Sequence, residues 1–470
     1  MLLVIVRLPW AGDLGIHAAT VERLRHRLLD PGNPLVDENT PSPYYSPWMV
    51  FLGLLARLTG LSVWVVLRIG ALISLPLLVT GVWRYVRTLS AHRLAPPLAL
   101  LCLVLLWGTE VFNWSGFLGL NSLALTVAYP SAFTLGLAFH FWAMLTRALK
   151  SPPAGWAVFL GLGVMWAVIL LSHQFTGVVT TLGALATVVG ARAGREVWPR
   201  LLAAGALGVL ILALWPYYDF FALFQVSGLE EIHRSLYKHL FVRFGLVLFG
   251  VAALAVRARR DRRDPLVLFF LLGASMFTAG GLSGHYSWGR VLPAVLIPAQ
   301  LAAAVEVAGA VRGRIRAVAA GVLAAALAVG AWTQAQTLGY VVGRKALPGP
   351  LAEKYQEPWT GYQWITPWVH YGDVVMAKQF AERGIPAYGP YTVEPGYPDF
   401  FLPDEKKRQA AVRTYFEAGQ PRGARLGVLK SYGVRWVVQR PSDGGLPLGD
   451  PTLRRVASGP GGQVLYEVVR

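Results

Sequence analysis

The strongest constraint in this 470-residue chain is a train of apolar runs, each close to the ~20 residues that carry a helix across a bilayer. They fall at 62–84, 94–110, 131–147, 155–172, 175–191, 199–216, 239–256, 265–283, 291–310 and 317–338. Basic clusters occupy every second connection: Arg84, Arg87 and Arg93; Arg147 and Lys150; Arg192, Arg195 and Arg200; Arg257, Arg259, Arg260, Arg262 and Arg263; Arg312, Arg314 and Arg316. The intervening loops, 111–130, 173–174, 217–238 and 284–290, are poorer in Lys and Arg. Cations are retained on the cytoplasmic side, so the clusters are expected inside and the other loops outside.

Composition agrees. Charged residues make up 14% of the chain and hydrophobic ones 55%, with a mean hydropathy of +0.48. A soluble domain carries about 25% charged residues, so a disordered chain is excluded and one large soluble domain is disfavoured. The net charge of +18 would point to nucleic acid in a soluble protein. Here it resides in the inner loops, with no basic stripe interleaved with aromatics, and no nucleic-acid partner is expected. Cys102 is the single cysteine, which excludes an intramolecular disulfide and a cysteine metal site.

Residues 1–12 are apolar except Arg7, yet ten helical residues reach only about 15 Å. They read as the outer half of a first span that starts upstream, or as a span that is short here. The expected fold class is therefore a polytopic α-helical membrane protein of about eleven spans, the first short or truncated. Residues 13–61 form the first outer loop, with two surface helices. In the first, His17, Val21, Leu24 and Leu28 share a face, with Glu22, Arg23, His26 and Arg27 largely opposite. The second runs from Pro47 to Gly60, carries Trp48 and Phe51, and reads as interfacial.

After residue 340 charges and prolines return. Residues 374–377, 434–438 and 464–468 read as strands and 405–416 as a helix. The expected domains are thus a membrane part over 1–340 and a small extracytoplasmic α/β domain over 341–470. Neither a Gly-rich phosphate loop nor a zinc spacing is present.

An Asp after the first helix, an amphipathic helix from Asp13-Leu14-Gly15-Ile16-His17 through Arg27, and Pro43-Tyr44-Tyr45-Ser46-Pro47-Trp48 leading into a second surface helix occur in order. A span closing on Arg84-Tyr85-Val86-Arg87 follows. Later come Gly284-His285-Tyr286-Ser287-Trp288-Gly289-Arg290 and the strand-like Ser431 to Val438. This arrangement resembles the C-type superfamily of integral-membrane glycosyltransferases. That group includes protein O-mannosyltransferases, aminoarabinose transferases, oligosaccharyltransferase catalytic subunits and actinobacterial arabinofuranosyltransferases. The resemblance implies an inverting transferase that moves a sugar from a polyprenyl-phosphate donor to an acceptor hydroxyl on the outer face of a bacterial plasma membrane. The acceptor would be a glycan, glycolipid or protein of the cell envelope. It also implies a catalytic role for Asp13. Many members pair that acid with a second, where this chain has Leu14. A divalent cation, Mg2+ or Mn2+, is left open and no metal ligands are assigned.

Such a transfer needs a base for the acceptor hydroxyl and cations for the departing phosphate. Asp13 is the expected base; the competing reading is a plain helix cap. Arg290, at the outer mouth of a helix, suits two-pronged phosphate binding, with Arg234 and His285 as further donor-phosphate candidates. His17, Tyr44, Tyr45, Glu110, His173 and Trp288 are candidates for lining the substrate cavity. Tyr44, Tyr45 and Trp48 read equally as an interfacial aromatic belt. Two rivals stand beside the transferase: a transporter or flippase for a lipid-linked saccharide, and a non-catalytic envelope-assembly scaffold.

Overall fold

The computed structural model describes residues 1–150, 153–225, 228–309, 314–378 and 380–469. Arg312 lies outside these described residues. The apolar runs are helical. In chain order the first helices are α1 (Leu2–Arg7), α2 (Leu14–His26), α3 (Pro47–Thr59), α4 (Val63–Leu89), α5 (Ala95–Leu105), α6 (Leu120–Thr126), α7 (Pro130–Ala148), α8 (Trp156–Ser172), α9 (Gln174–Ala191) and α10 (Trp198–Ala213). Helices Leu248–Arg260, Pro265–Ser283, Pro293–Gly309 and Arg314–Gln334 follow.

Among the described residues, seven helical segments are long and apolar enough to cross a membrane. They become eight if α6 and α7, bent by 119° where they meet, form one span. α5 and α8 are apolar but shorter. The chain thus has the make-up of a polytopic helical membrane protein with a small sheet near its C-terminal end.

Local chemistry marks the helix ends. Proline opens α5, α7 and α10, where a missing N–H costs nothing. Asp264 caps Pro265–Ser283 by accepting from the amides of Leu266 and Val267. α5 stops after eleven residues, about 16 Å, leaving carbonyls that lipid cannot satisfy. Two glutamines answer them: Gln334 Nε2 donates to the Val104 carbonyl at 2.7 Å, and Gln300 Nε2 to that of Leu106 at 2.8 Å.

The chain divides into two compact units that do not follow chain order. The first comprises residues 1–9, 68–215 and 219–357; the second, 10–67, 216–218 and 358–470. Residues 10–67 therefore group with the C-terminal residues; the sequence reading placed 13–61 in the part over 1–340.

The second unit is built on a five-stranded sheet of β1 (Val374–Met376), β2 (Tyr391–Thr392), β3 (Trp436–Gln439), β4 (Leu453–Ser458) and β5 (Val464–Val468), ordered β2-β1-β3-β5-β4. β1 pairs in parallel with β2 and β3, while β5 runs antiparallel to β3 and β4. The predicted strands correspond to β1, β3 and β5, and the predicted helix to Glu405–Phe416. β2 and β4 went unread because β2 has two residues and β4 carries an arginine pair. Val36 of the loop bridges to Thr392 and extends the β2 edge.

That pairing explains a correction. α2 does not lie on a surface with its polar side in water. Leu14 to Val21 are all buried, and so is Arg23, at 0% exposure. Arg23 donates to the carbonyls of Pro34, Gly389 and Pro390 and stacks over Tyr371 and Tyr391. A helical wheel marks Arg23 as polar and therefore exposed; the segment 385–391, remote in sequence, covers it and satisfies its donors. Gly15 permits this approach, since a Cβ there would sit 1.9 Å from the Arg383 carbonyl oxygen. The interfacial reading of α3 needs a similar change. Phe51, Leu54 and Leu58 are exposed, but Trp48 is buried.

Candidate functional site

The side chains predicted from the sequence fall in both units, Asp13, His17, Tyr44 and Tyr45 in the second and the others in the first. In the second unit, Asp13 stands directly before α2, in the cap position, at φ −87° and ψ 8°, and its side chain makes no cap hydrogen bond. Its carboxylate acts instead on Tyr397. Burial first, and then the Asp13 charge, push that phenol well above its ordinary pKa. The Tyr397 hydroxyl donates to the Gly12 carbonyl at 2.9 Å, and the Arg383 guanidinium lies 5.1 Å over its ring. One helical turn from Asp13, His17 is buried with its ring edge against Tyr44. Desolvation lowers its pKa to about 3, so at neutral pH it is an uncharged packing group and no phosphate cation. Tyr45 is also buried, 5.9 Å from the Tyr217 ring.

In the first unit the centre is Arg290. It lies in the turn Tyr286–Val291 and is only 6% exposed. Glu230 pins that turn, accepting from the Ser287 amide at 2.7 Å and the Ser287 hydroxyl at 2.8 Å. The Arg290 guanidinium sits 4.5 Å over Phe175 and 5.4 Å over Trp114, and Nη2 donates to Ser115 Oγ at 3.2 Å. Aromatic faces hold a guanidinium without neutralising it.

His173 completes the group. It caps α9, with Nδ1 accepting from the Thr176 amide at 3.2 Å. In a neutral ring this bond leaves the proton on Nε2, a tautomer assigned from the bonding. Nε2 lies 3.4 Å from Arg290 Nη2. The two groups therefore lie within hydrogen-bond reach of each other, beside the Ser115 hydroxyl. Gly116, at φ +85°, turns the chain just after Ser115, and a Cβ there would meet the His173 ring at 3.2 Å. His233, 5.8 Å from Trp114 and 5.7 Å from Phe175, is driven toward its neutral form by burial and by the Arg290 charge.

The other candidates are placed differently. Arg234 is half exposed and pairs with Glu231 at 3.6 Å. His285 is exposed, hydrogen-bonded to Ser283 and stacked on the partly exposed Trp288. Glu110 pairs with Arg243 at 3.1 Å. Sequence reasoning missed Ser115, Trp114 and Phe175 around Arg290, and Tyr397 and Arg383 around Asp13. Nothing in their local sequence marks them, because each is recruited by chain packing.

For a divalent cation, the donor set does not assemble: among the described residues no group of three or more His, Cys, Asp or Glu comes together to hold a metal.

With this geometry in hand, comparison with solved structures is informative. The chain aligns over its full length with the arabinofuranosyltransferase AftD from Mycobacteria, at 17% identity and a TM-score of 0.62, covering 39% of that protein. The chain shares the fold of that part of the arabinofuranosyltransferase. A mutant form of AftD gives 19% identity and a TM-score of 0.59, over 100% of this chain and 41% of that one. An oligosaccharyltransferase from Archaeoglobus fulgidus aligns at 14% identity and a TM-score of 0.48, over 100% and 73%. The chain thus spans about two fifths of the length of the arabinofuranosyltransferase it matches. No family model and no curated protein matches its sequence. The arabinofuranosyltransferases named in the sequence resemblance thus include a protein whose fold this chain shares.

Proposed function

We propose that this chain is an inverting glycosyltransferase that moves a sugar from a polyprenyl-phosphate donor to an acceptor hydroxyl, in building a cell-envelope glycan. The observation that carries this reading is the convergence of Arg290 Nη2 and His173 Nε2, with Ser115 between helices, in an aromatic, water-poor setting. Such a set favours a phosphate oxygen, whose negative charge grows as the glycosyl bond breaks. In the proposed step the acceptor oxygen forms a bond to the anomeric carbon as the carbon–oxygen bond to phosphate breaks. The bond's electron pair leaves on phosphate, and the acceptor proton passes to a carboxylate base, the role the sequence reading gives Asp13. No step is routed through a cation.

The active face is proposed to be extracytoplasmic, in a bacterial plasma membrane, with the sheet-bearing unit on that side and about eleven crossings. The acceptor would be a glycan, glycolipid or protein. The test is a transfer assay with the full chain in vesicles, using a panel of polyprenyl-phosphate monosaccharides, for wild type, Asp13→Asn and Arg290→Ala. Transfer by wild type that is lost in both variants supports the reading. Transfer untouched by either removes these residues from the mechanism, and reporter fusions that put the C-terminal residues in the cytosol end the sidedness proposal.

A further inference from the structure

A second concavity in the first unit is distinct from the Arg290 group. It has a volume of about 320 Å³ and is lined chiefly by Glu110, Asn113, Asn121, Gln336, Lys354 and Gln356. Its chemistry is that of amides. Asn121 is held by its amide donating to Gln334 Oε1 at 2.9 Å and by the Thr337 hydroxyl donating to Asn121 Oδ1 at 3.1 Å. Asn121 Nδ2 donates to Asn113 Oδ1, and Asn113 Nδ2 to Gln356 Oε1 at 3.3 Å. Gln336 is 6% exposed, yet its buried carboxamide oxygen has no hydrogen-bond partner. Gln336 also lines the cavity, and an acceptor left without a donor there is one that a small rotation of the carboxamide would offer to a ligand hydroxyl.

Carboxamides both donate and accept, which matches hydroxyl groups that do the same. Glu110 is offset by its pair with Arg243, and of the other lining residues only Lys354 is charged, so the wall is dominated by neutral amide and hydroxyl groups. The pocket also shares a wall with the Arg290 group. Asn113 faces the pocket, while Trp114 and Ser115, one and two residues on, contact Arg290.

We infer that this pocket is a carbohydrate subsite, binding a neutral, hydroxyl-rich sugar unit beside the phosphate-binding group. The inference rests on the transferase reading for its catalytic meaning, but not for its binding test. The same chemistry would serve the donor's sugar or the terminal residues of a glycan acceptor.

The experiment titrates the full chain, in detergent micelles, with a neutral oligosaccharide and separately with an unglycosylated short-chain polyprenyl phosphate. Gln336→Leu should weaken oligosaccharide binding by about tenfold or more and leave polyprenyl-phosphate binding unmoved. Lys354 and Gln356 are exposed, so the double variant Lys354→Ala/Gln356→Ala keeps the test alive if Gln336→Leu fails to fold; it should weaken the oligosaccharide severalfold. Oligosaccharide affinity equal to wild type in a folded variant would overturn the inference, as would equal weakening of both probes. In transfer assays, a raised acceptor KM assigns the pocket to the acceptor glycan, and a raised donor KM to the donor sugar. Wild type that binds the oligosaccharide but transfers no sugar removes the proposed function and leaves the subsite standing.

Discussion

Arg290 Nη2 lies 3.4 Å from His173 Nε2, across 117 residues of sequence. The Thr176 amide occupies Nδ1 and so directs the imidazole proton toward the guanidinium. The contact joins a turn and a helix start that are remote in sequence, beside the Ser115 hydroxyl.

Arg290→Lys tests the fork. A lysine keeps the charge but forfeits planar stacking on Phe175 and two-pronged donation. Donor KM should rise by about tenfold or more in steady-state transfer assays. A lysine variant with wild-type kinetics would show that charge alone suffices there.

His173→Asn separates capping from ligand contact. Asparagine is a good helix cap, so α9 should keep its start and the thermal midpoint should change little. Polyprenyl-phosphate affinity should fall by about fivefold to tenfold, since one N–H donor is gone. An unchanged affinity would assign the histidine to capping alone.

Asp13→Asn exchanges the carboxylate for an amide of the same size, in an equally good helix-start residue, so folding should persist. Transfer should fall by about 10²–10⁴-fold, the range of a lost general base. Retained folding is read by melting in detergent and the loss by product formation. Full activity would return Asp13 to a structural role.

Arg23→Met leaves the carbonyls of Pro34, Gly389 and Pro390 without their donor in a buried site. Charged hydrogen bonds contribute about 1.5–3 kcal/mol each, so the loss should exceed about 3 kcal/mol. Limited proteolysis between 27 and 47 and within 385–397 should accelerate. Unaltered cleavage at both segments would contradict this pinning role.

Stability should depend on pH through His17. Its folded pKa, about 3, lies below the ordinary 6.5. Between those values the unfolded chain binds a proton that the folded chain does not. The contribution is complete above pH 6.5 and is lost as pH falls toward 3, by about 1.4 kcal/mol per unit. His17→Phe should flatten the slope between about pH 6 and 4 in parallel melts. Identical slopes for wild type and variant would mean that this ring titrates normally.

Much of this architecture was legible in the sequence because its signals are local. An apolar run of bilayer length has few alternatives to a helix, and a proline or a Ser46-type cap marks where one begins. Glu405–Phe416 was readable for the same reason. Arg290 could be picked out because an arginine at an apolar helix mouth is costly unless used. His173 was visible as a polar residue between two apolar helices, but its pairing with Arg290 was not.

The sequence by itself determined the helices, their order, the strands β1, β3 and β5, and the short list containing Asp13, Arg290 and His173. Periodicity, length and charge act over a few turns of chain, and these features need nothing more. Tertiary structure alone decided that Arg23 is buried, that Tyr45 is core, that residues 10–67 join the sheet-bearing unit, and that Ser115, Phe175 and His173 surround one guanidinium. Each of those depends on surfaces contributed by distant segments, and burial is a property of what covers a residue rather than of the residue's own type.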